Sequence, residues 1–300
     1  MGDQNTDRGI QLTNKSIRFL RHYLSGDVFS WKALAGLQAI LSIWLVQDSQ
    51  HDPSLTLLAV VVWGGAVICL EDKLDTLEMK PSRFSFFAGC LLLLLVTVRT
   101  TLVLDKERLV LILPLLQGLA LALLLRPIPK LPSLGQPLVV LSLFPLQDLA
   151  MRLLPDYMLS VITAKLSQGF LLVFGFNATS SGRFVLMGAR GVEVLGECNS
   201  VDLIAQLTAI AIVFALAFPI RSRGLRLSFI ALAPLIAVIV NAGRIATLAA
   251  LVTSELDYGY DLFTFLHDKW GSLIFAGIAT MILGQIYMAL IDRELQHHHG

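Results

Sequence analysis

The sequence predicts an all-α integral membrane protein with about eight transmembrane helices. Of 300 residues, 55% are hydrophobic and only 15% charged, where a soluble domain of this length carries about 25% charge. Mean hydropathy is +0.72. Several apolar runs of roughly 15 to 22 residues approach the length that crosses a bilayer. A net charge of +1 gives no overall attraction to nucleic acid. Cys69, Cys90 and Cys198 are too scattered for a disulfide framework or a zinc site, and no secretory signal opens the chain.

Spans are expected near 31–46, 54–70, 84–98, 109–125, 134–150, 199–220, 227–252 and 270–291. Pro114, Pro137, Pro145 and Pro234 fall inside them, which is tolerable where neighbouring helices re-satisfy the freed carbonyls. Lys and Arg set the orientation. The tail with Lys15, Arg18, Arg21 and Lys32, the loop with Lys73, Lys80 and Arg83, the Arg126–Lys130 turn and the Arg221–Arg226 turn share one side, taken as the cytoplasm. The opposite 47–53 loop has no Lys or Arg, and 253–269 carries four acids. Arg99, Lys106 and Arg108 run against the rule. Both termini come out cytoplasmic. The chain reads as one polytopic domain: five spans in 1–150, an outer segment at 151–197, and a three-helix core at 198–291.

The outer segment has its own pattern. Ser160, Thr163, Ala164, Ser167 and Gln168 form a polar or small stripe at helical spacing, opposite Met158, Leu159, Val161, Ile162, Leu166 and Phe170. This is an amphipathic helix, either lying in the membrane interface or packed on the bundle. Next, Phe184–Met187 and Val192–Leu195 flank Gly188-Ala189-Arg190-Gly191, a β-hairpin pattern that leads the chain to Cys198.

Helix rise brings three distant residues to one depth. Cys198 sits at the outer start of the sixth span. The seventh starts inside near Leu227, so Arg244, 17 residues on, lies about 26 Å up, near the outer face. His267 precedes the eighth span, also outside. A thiol attacks as its thiolate, which a helix amino terminus and nearby cations favour. Asn199 or Ser200 is available to cap that helix. Asp202, four residues after the cysteine, shares its face and is a candidate partner for Arg244. An arginine inside a membrane is costly and marks a functional position, here one that would hold an oxyanion or a substrate carbonyl. Histidine carries protons near neutral pH. A nucleophile, an acid/base and an electrostatic stabiliser suit acyl transfer from a peptide. Cys69 and Cys90 read as packing. No metal or organic cofactor is expected: Asp257, Asp261 and Asp268 show no ligand-like pairing.

Other readings stay open at this point. One is a transporter or channel with Arg244 and Asn241 lining the path, although spans two, four and eight are almost free of polar residues in their middles. Others are a transferase using His267 and carboxylates on lipid-linked substrates, and a structural subunit.

The order Gly196-Glu197-Cys198-Asn199-Ser200, Asn241-Ala242-Gly243-Arg244 and His267 resembles the exosortase/archaeosortase family, its cyanobacterial branch above all, over about 155–291. The resemblance implies a membrane cysteine protease and transpeptidase whose site faces outward. Its substrates would be single-span proteins with a carboxy-terminal sorting signal: a short motif, commonly Pro-Glu-Pro, then a hydrophobic span and a basic cluster. By the family pattern Cys198 is the nucleophile, Arg244 and His267 complete the triad, and Asn241 supports Arg244. One departure stands out: Ser200 takes the place of the family's usual glycine, which narrows the site if close approach is needed there.

Overall fold

The computed structural model describes residues 26–74, 80–102, 107–198, 200–218, 220–254 and 259–299. The structure is 84% helical, as an all-α membrane protein should be, with one small β insertion. Helices α1 (Gly26–Gln50), α2 (Pro53–Leu74), α3 (Arg83–Leu102), α4 (Glu107–Leu125) and α5 (Gly135–Leu153) come first. Then follow α6 (Asp156–Val173), strands β1 (Thr179–Ser181), β2 (Phe184–Met187) and β3 (Arg190–Glu193), and a 3-10 turn, Gly196–Cys198. Helices α7 (Val201–Ala217), α8 (Arg223–Thr253), α9 (Gly259–His267) and α10 (Lys269–His299) end the chain.

Eight of these helices stand where spans were expected: α1 to α5, α7, α8 and α10. Among the described residues, five stretches are long and apolar enough to cross a membrane: Pro53–Glu71, Arg83–Thr100, Ile128–Leu153, Arg223–Thr253 and Lys269–Glu294. Leu109–Leu125 and Val201–Ala217 are shorter apolar helices. Lys15, Arg18, Arg21 and Lys106, which bore on orientation, lie outside the described residues.

Local chemistry sets the breaks. Between α1 and α2, His51 takes a left-handed φ of 50°. Asp52 then accepts from Ser54 N at 2.8 Å and Ser54 Oγ at 2.7 Å, capping α2. Pro53 opens that helix, where a missing N–H costs little. At the other end of the molecule, Glu294 accepts from Arg221 N and Ser222 N at 3.0 and 2.9 Å, tying α10 to the start of α8.

The expected stripe on α6 faces inward. Ser160, Thr163, Ala164 and Ser167 are buried, while Met158, Ile162 and Leu166 are exposed. The stripe is small and uncharged, so it admits a close helix neighbour. Ser167 Oγ lies 2.7 Å from Thr163 O and 2.9 Å from Ala242 O of α8. Of the two settings open for this helix, it is packed on the bundle.

The β insertion is a three-stranded antiparallel sheet in the order β1-β2-β3, with Val185 opposite Val192. Gly182 and Gly188 take φ of 57° and 65° at its two turns, as the first position of a tight hairpin turn requires. The second turn is shorter than expected, because Arg190 and Gly191 already belong to β3. Strand β1 was not expected; Thr179-Ser180-Ser181 lacks apolar alternation.

Three apolar clusters result among the described residues, the least of them Leu70, Ala122, Leu125 and Leu134; the other two bear on the site. The larger joins α1, α2, α5, α7, α8 and α10 around Leu58, Phe144, Leu207 and Phe229. The smaller gathers Ala164, Leu171, Val185, Val194, Cys198, Ile245 and Leu248 between α6, the sheet and α8.

Candidate active site

Cys198 ends the short 3-10 turn, its N–H donating to Leu195 O at 2.9 Å. It is only 7% exposed. Its Sγ lies 3.3 Å from His267 Nε2, within hydrogen-bond reach. His267 closes α9, a helix of nine residues within the 253–269 stretch expected as a loop. Four residues back on the same face, Phe263 stacks on the imidazole, with centroids 5.5 Å apart. Among the described residues, no carboxylate hydrogen-bonds His267, so stacking orients the ring in place of the usual acid.

Arg244 is 5% exposed on α8. Its Nη2 donates to His267 O at 2.9 Å, and Nε and Nη2 each reach Leu266 O at 3.3 Å. These are the last carbonyls of α9, the negative end of that helix, which lacks partners of its own. One guanidinium therefore fixes the segment that carries the imidazole. It is also close enough to Cys198 to interact with it electrostatically. The expected partner, Asp202, is not the one used: Asp202 lines the cleft, but Arg244 forms no ion pair with it. A helix terminus offered two acceptors at the right depth and won.

Asn241 is three residues before Arg244 and so shares its face of α8. It does not brace Arg244, as the resemblance implied. Its Nδ2 donates to Cys198 O at 3.0 Å and lies 3.4 Å from Ser200 Oγ. Ser200 occupies the cap position of α7 but makes no capping bond with its side chain. The hydroxyl instead pairs with Thr163 Oγ1 at 2.9 Å, so its bulk is taken up against α6. Asn199 lies outside the described residues.

Cys198, Asn241, Arg244 and His267 line one cleft of about 390 Å³. Asp52 and Ser54, from the α1–α2 turn, form part of its wall. Gln206 Nε2 donates to Ser54 O at 3.1 Å and Lys269 Nζ to His51 O at 3.2 Å, docking this turn on the site. Among the described residues no group of His, Cys, Asp and Glu is placed to hold a metal ion. Cys69 is buried in the larger core and Cys90 is exposed on α3; neither lines the cleft.

A thiol on a histidine, beside a buried arginine, is the equipment of a thiol acyltransferase. Residues 44–284 match the family model for transmembrane exosortase (Exosortase_EpsH). The chain belongs to this exosortase family. No curated protein and no solved structure matches it. The match begins in α1, well before the motifs that carried the resemblance, in keeping with a cleft whose wall includes the α1–α2 turn.

Several site residues of this exosortase-family chain went unread in sequence: Thr163, Phe263, Gly271 and the Asp52–Ser54 turn. Thr163 had a signal, the uncharged stripe, which suits burial better than water. Gly271 had none. It lies under the last turn of α9, where an added Cβ would sit 2.3 Å from Phe265 O and from Leu266 Cα. Both are backbone, so the turn that Arg244 grips would have to move. Gly271→Ala is expected to displace the last turn of α9 and to destabilise the fold by about 1–3 kcal/mol. Thermal unfolding of the purified variant checks it.

Proposed function

We propose that this exosortase-family chain is a membrane cysteine peptidase and transpeptidase acting through Cys198, His267 and Arg244. The observation that carries the reading is the 3.3 Å approach of Cys198 Sγ to His267 Nε2 in the cleft that Arg244 also lines. The thiol proton passes to Nε2, and the thiolate attacks the scissile carbonyl carbon. A C–S bond forms, and the oxygen takes up negative charge. Arg244 Nη1, which bonds no described residue, stabilises that charge. Collapse of the tetrahedral intermediate breaks the C–N bond, and His267 returns the proton to the leaving amine. The thioester then goes to water or to an acceptor amine. His267 accepts the acceptor's proton and hands it back to sulfur as the thiol departs.

The substrates are single-span proteins with a carboxy-terminal sorting signal, reaching the cleft sideways from lipid. The site faces outside a bacterial plasma membrane with both termini cytoplasmic, an orientation supported by loop charge. Within the family, the cyanobacterial branch is the one that the residues around Cys198, Arg244 and His267 resemble above all. A solute path along Arg244 and Asn241 is disfavoured, because Asn241 Nδ2 and Arg244 Nε and Nη2 are bonded to the site's own backbone carbonyls.

Iodoacetamide labelling of the purified protein at neutral pH, mapped by mass spectrometry, tests the site. Cys198 is expected to label fastest of the three cysteines, and more slowly in His267→Ala and Arg244→Ala. Equal Cys198 labelling in wild type and both variants would count against one activated site.

A further inference from the structure

We infer that the Thr163 and Ser200 hydroxyls form a coupled pair that positions the Cys198 sulfur for reaction. The inference rests on the reading of Cys198 as nucleophile. It starts from the weakness of the element that carries the thiol. A 3-10 turn of three residues has little rigidity of its own. Contacts with the neighbouring helices add the rigidity that the turn itself lacks.

The structure supplies two ties. Asn241 of α8 grips Cys198 O directly at 3.0 Å, and Ser200, two residues on, pairs with Thr163 of α6 at 2.9 Å. Asn241 Nδ2 also lies 3.4 Å from Ser200 Oγ, so the ties share an atom. Thr163 and Ser200 are both 0% exposed. In such a dry contact a hydroxyl must find a protein partner, and each supplies the other's. The α6 end is itself fixed, since Ser167 Oγ reaches both Thr163 O and Ala242 O. Helices α6 and α8 thus form a frame, with Ser200 and Cys198 suspended between them. Neither hydroxyl lines the cleft, so both act through the cysteine and are positioning residues. A displacement of about 1 Å at a reacting atom costs on the order of 100-fold in rate.

The test is a double-mutant cycle on the full chain in detergent, with two readouts: the rate of Cys198 alkylation by iodoacetamide, and kcat and KM for a single-span reporter. Thr163→Val and Ser200→Ala are each expected to lower the alkylation rate and kcat about tenfold, on the order of the loss a sub-ångström shift produces, with KM little changed. Thr163→Ser, which keeps the hydroxyl, stays near wild type. The double variant loses no more than either single one, because the second change removes a partner already lost. Losses that multiply, or a Thr163→Val protein with wild-type alkylation and kcat, overturn the inference. Where Thr163→Val does not fold, Ser200→Ala and Thr163→Ser decide by the same criteria. Alkylation needs no substrate. A coupled loss there, with cleavage absent even in wild type, upholds the pair and removes the peptidase reading instead.

Discussion

Cys198→Ala is expected to abolish cleavage of a single-span reporter and to leave the fold intact. The loss expected on removing a nucleophile is about 10³-fold or more, because the remaining groups cannot form the thioester. Stability should largely hold, since the backbone bonds at Cys198 do not involve its side chain. Asn241 bonds its carbonyl and Leu195 accepts from its N–H, and both survive the substitution. What goes is one sulfur atom in the smaller core, worth about 1 kcal/mol. Cys90→Ala, on an exposed face of α3, serves as the control and keeps full activity. Reporter cleavage and thermal unfolding of both variants settle the matter. Cleavage by Cys198→Ala above a tenth of wild type would mean that another group attacks the carbonyl.

Much of this arrangement was legible in the chain, and the reason is geometric. Helix rise and loop charge alone put Cys198, Arg244 and His267 at one depth, and the structure brings them into one cleft. What helix rise cannot supply is rotation about each axis and the identity of partners. Arg244 could be placed by height, but its choice of the α9 carbonyls over Asp202 depended on a helix not visible in the sequence. The nine residues of α9 are too few for a periodic signal. The stripe on α6 was read correctly as a stripe, and its setting stayed open because both water and a close-packed helix accept serine and threonine. The contribution of the α1–α2 turn had no local signature at all. The sequence shows only a loop without Lys or Arg there; the structure shows Asp52 capping α2, and the turn's place at the site appears only where Gln206 and Lys269 dock it on the cleft.

Arg244→Lys retains the charge and is expected to lose about 10²- to 10³-fold in kcat, with KM little changed. Charge is the lesser part of what arginine does here. The guanidinium is a planar fork whose Nε and Nη2 hold Leu266 O and His267 O together, leaving Nη1 for the cleft. A lysine ammonium is one nitrogen on a flexible stem. It can bind an α9 carbonyl or face the substrate oxygen, and not both with fixed geometry. Loss of an oxyanion donor alone costs about 10²- to 10³-fold, and a loosened α9 would move His267 away from Cys198 as well. Arg244→Ala should match the kinetic loss and add a stability loss of about 1–3 kcal/mol, from α9 carbonyls left without a donor. The split between the two variants separates the roles. Unfolding reports the grip on α9, which lysine keeps in part, and kcat reports the fork, which only arginine supplies. A lysine variant with a raised KM and an unchanged kcat would instead place Arg244 in ground-state substrate binding, and the oxyanion role would have to pass to another donor in the cleft.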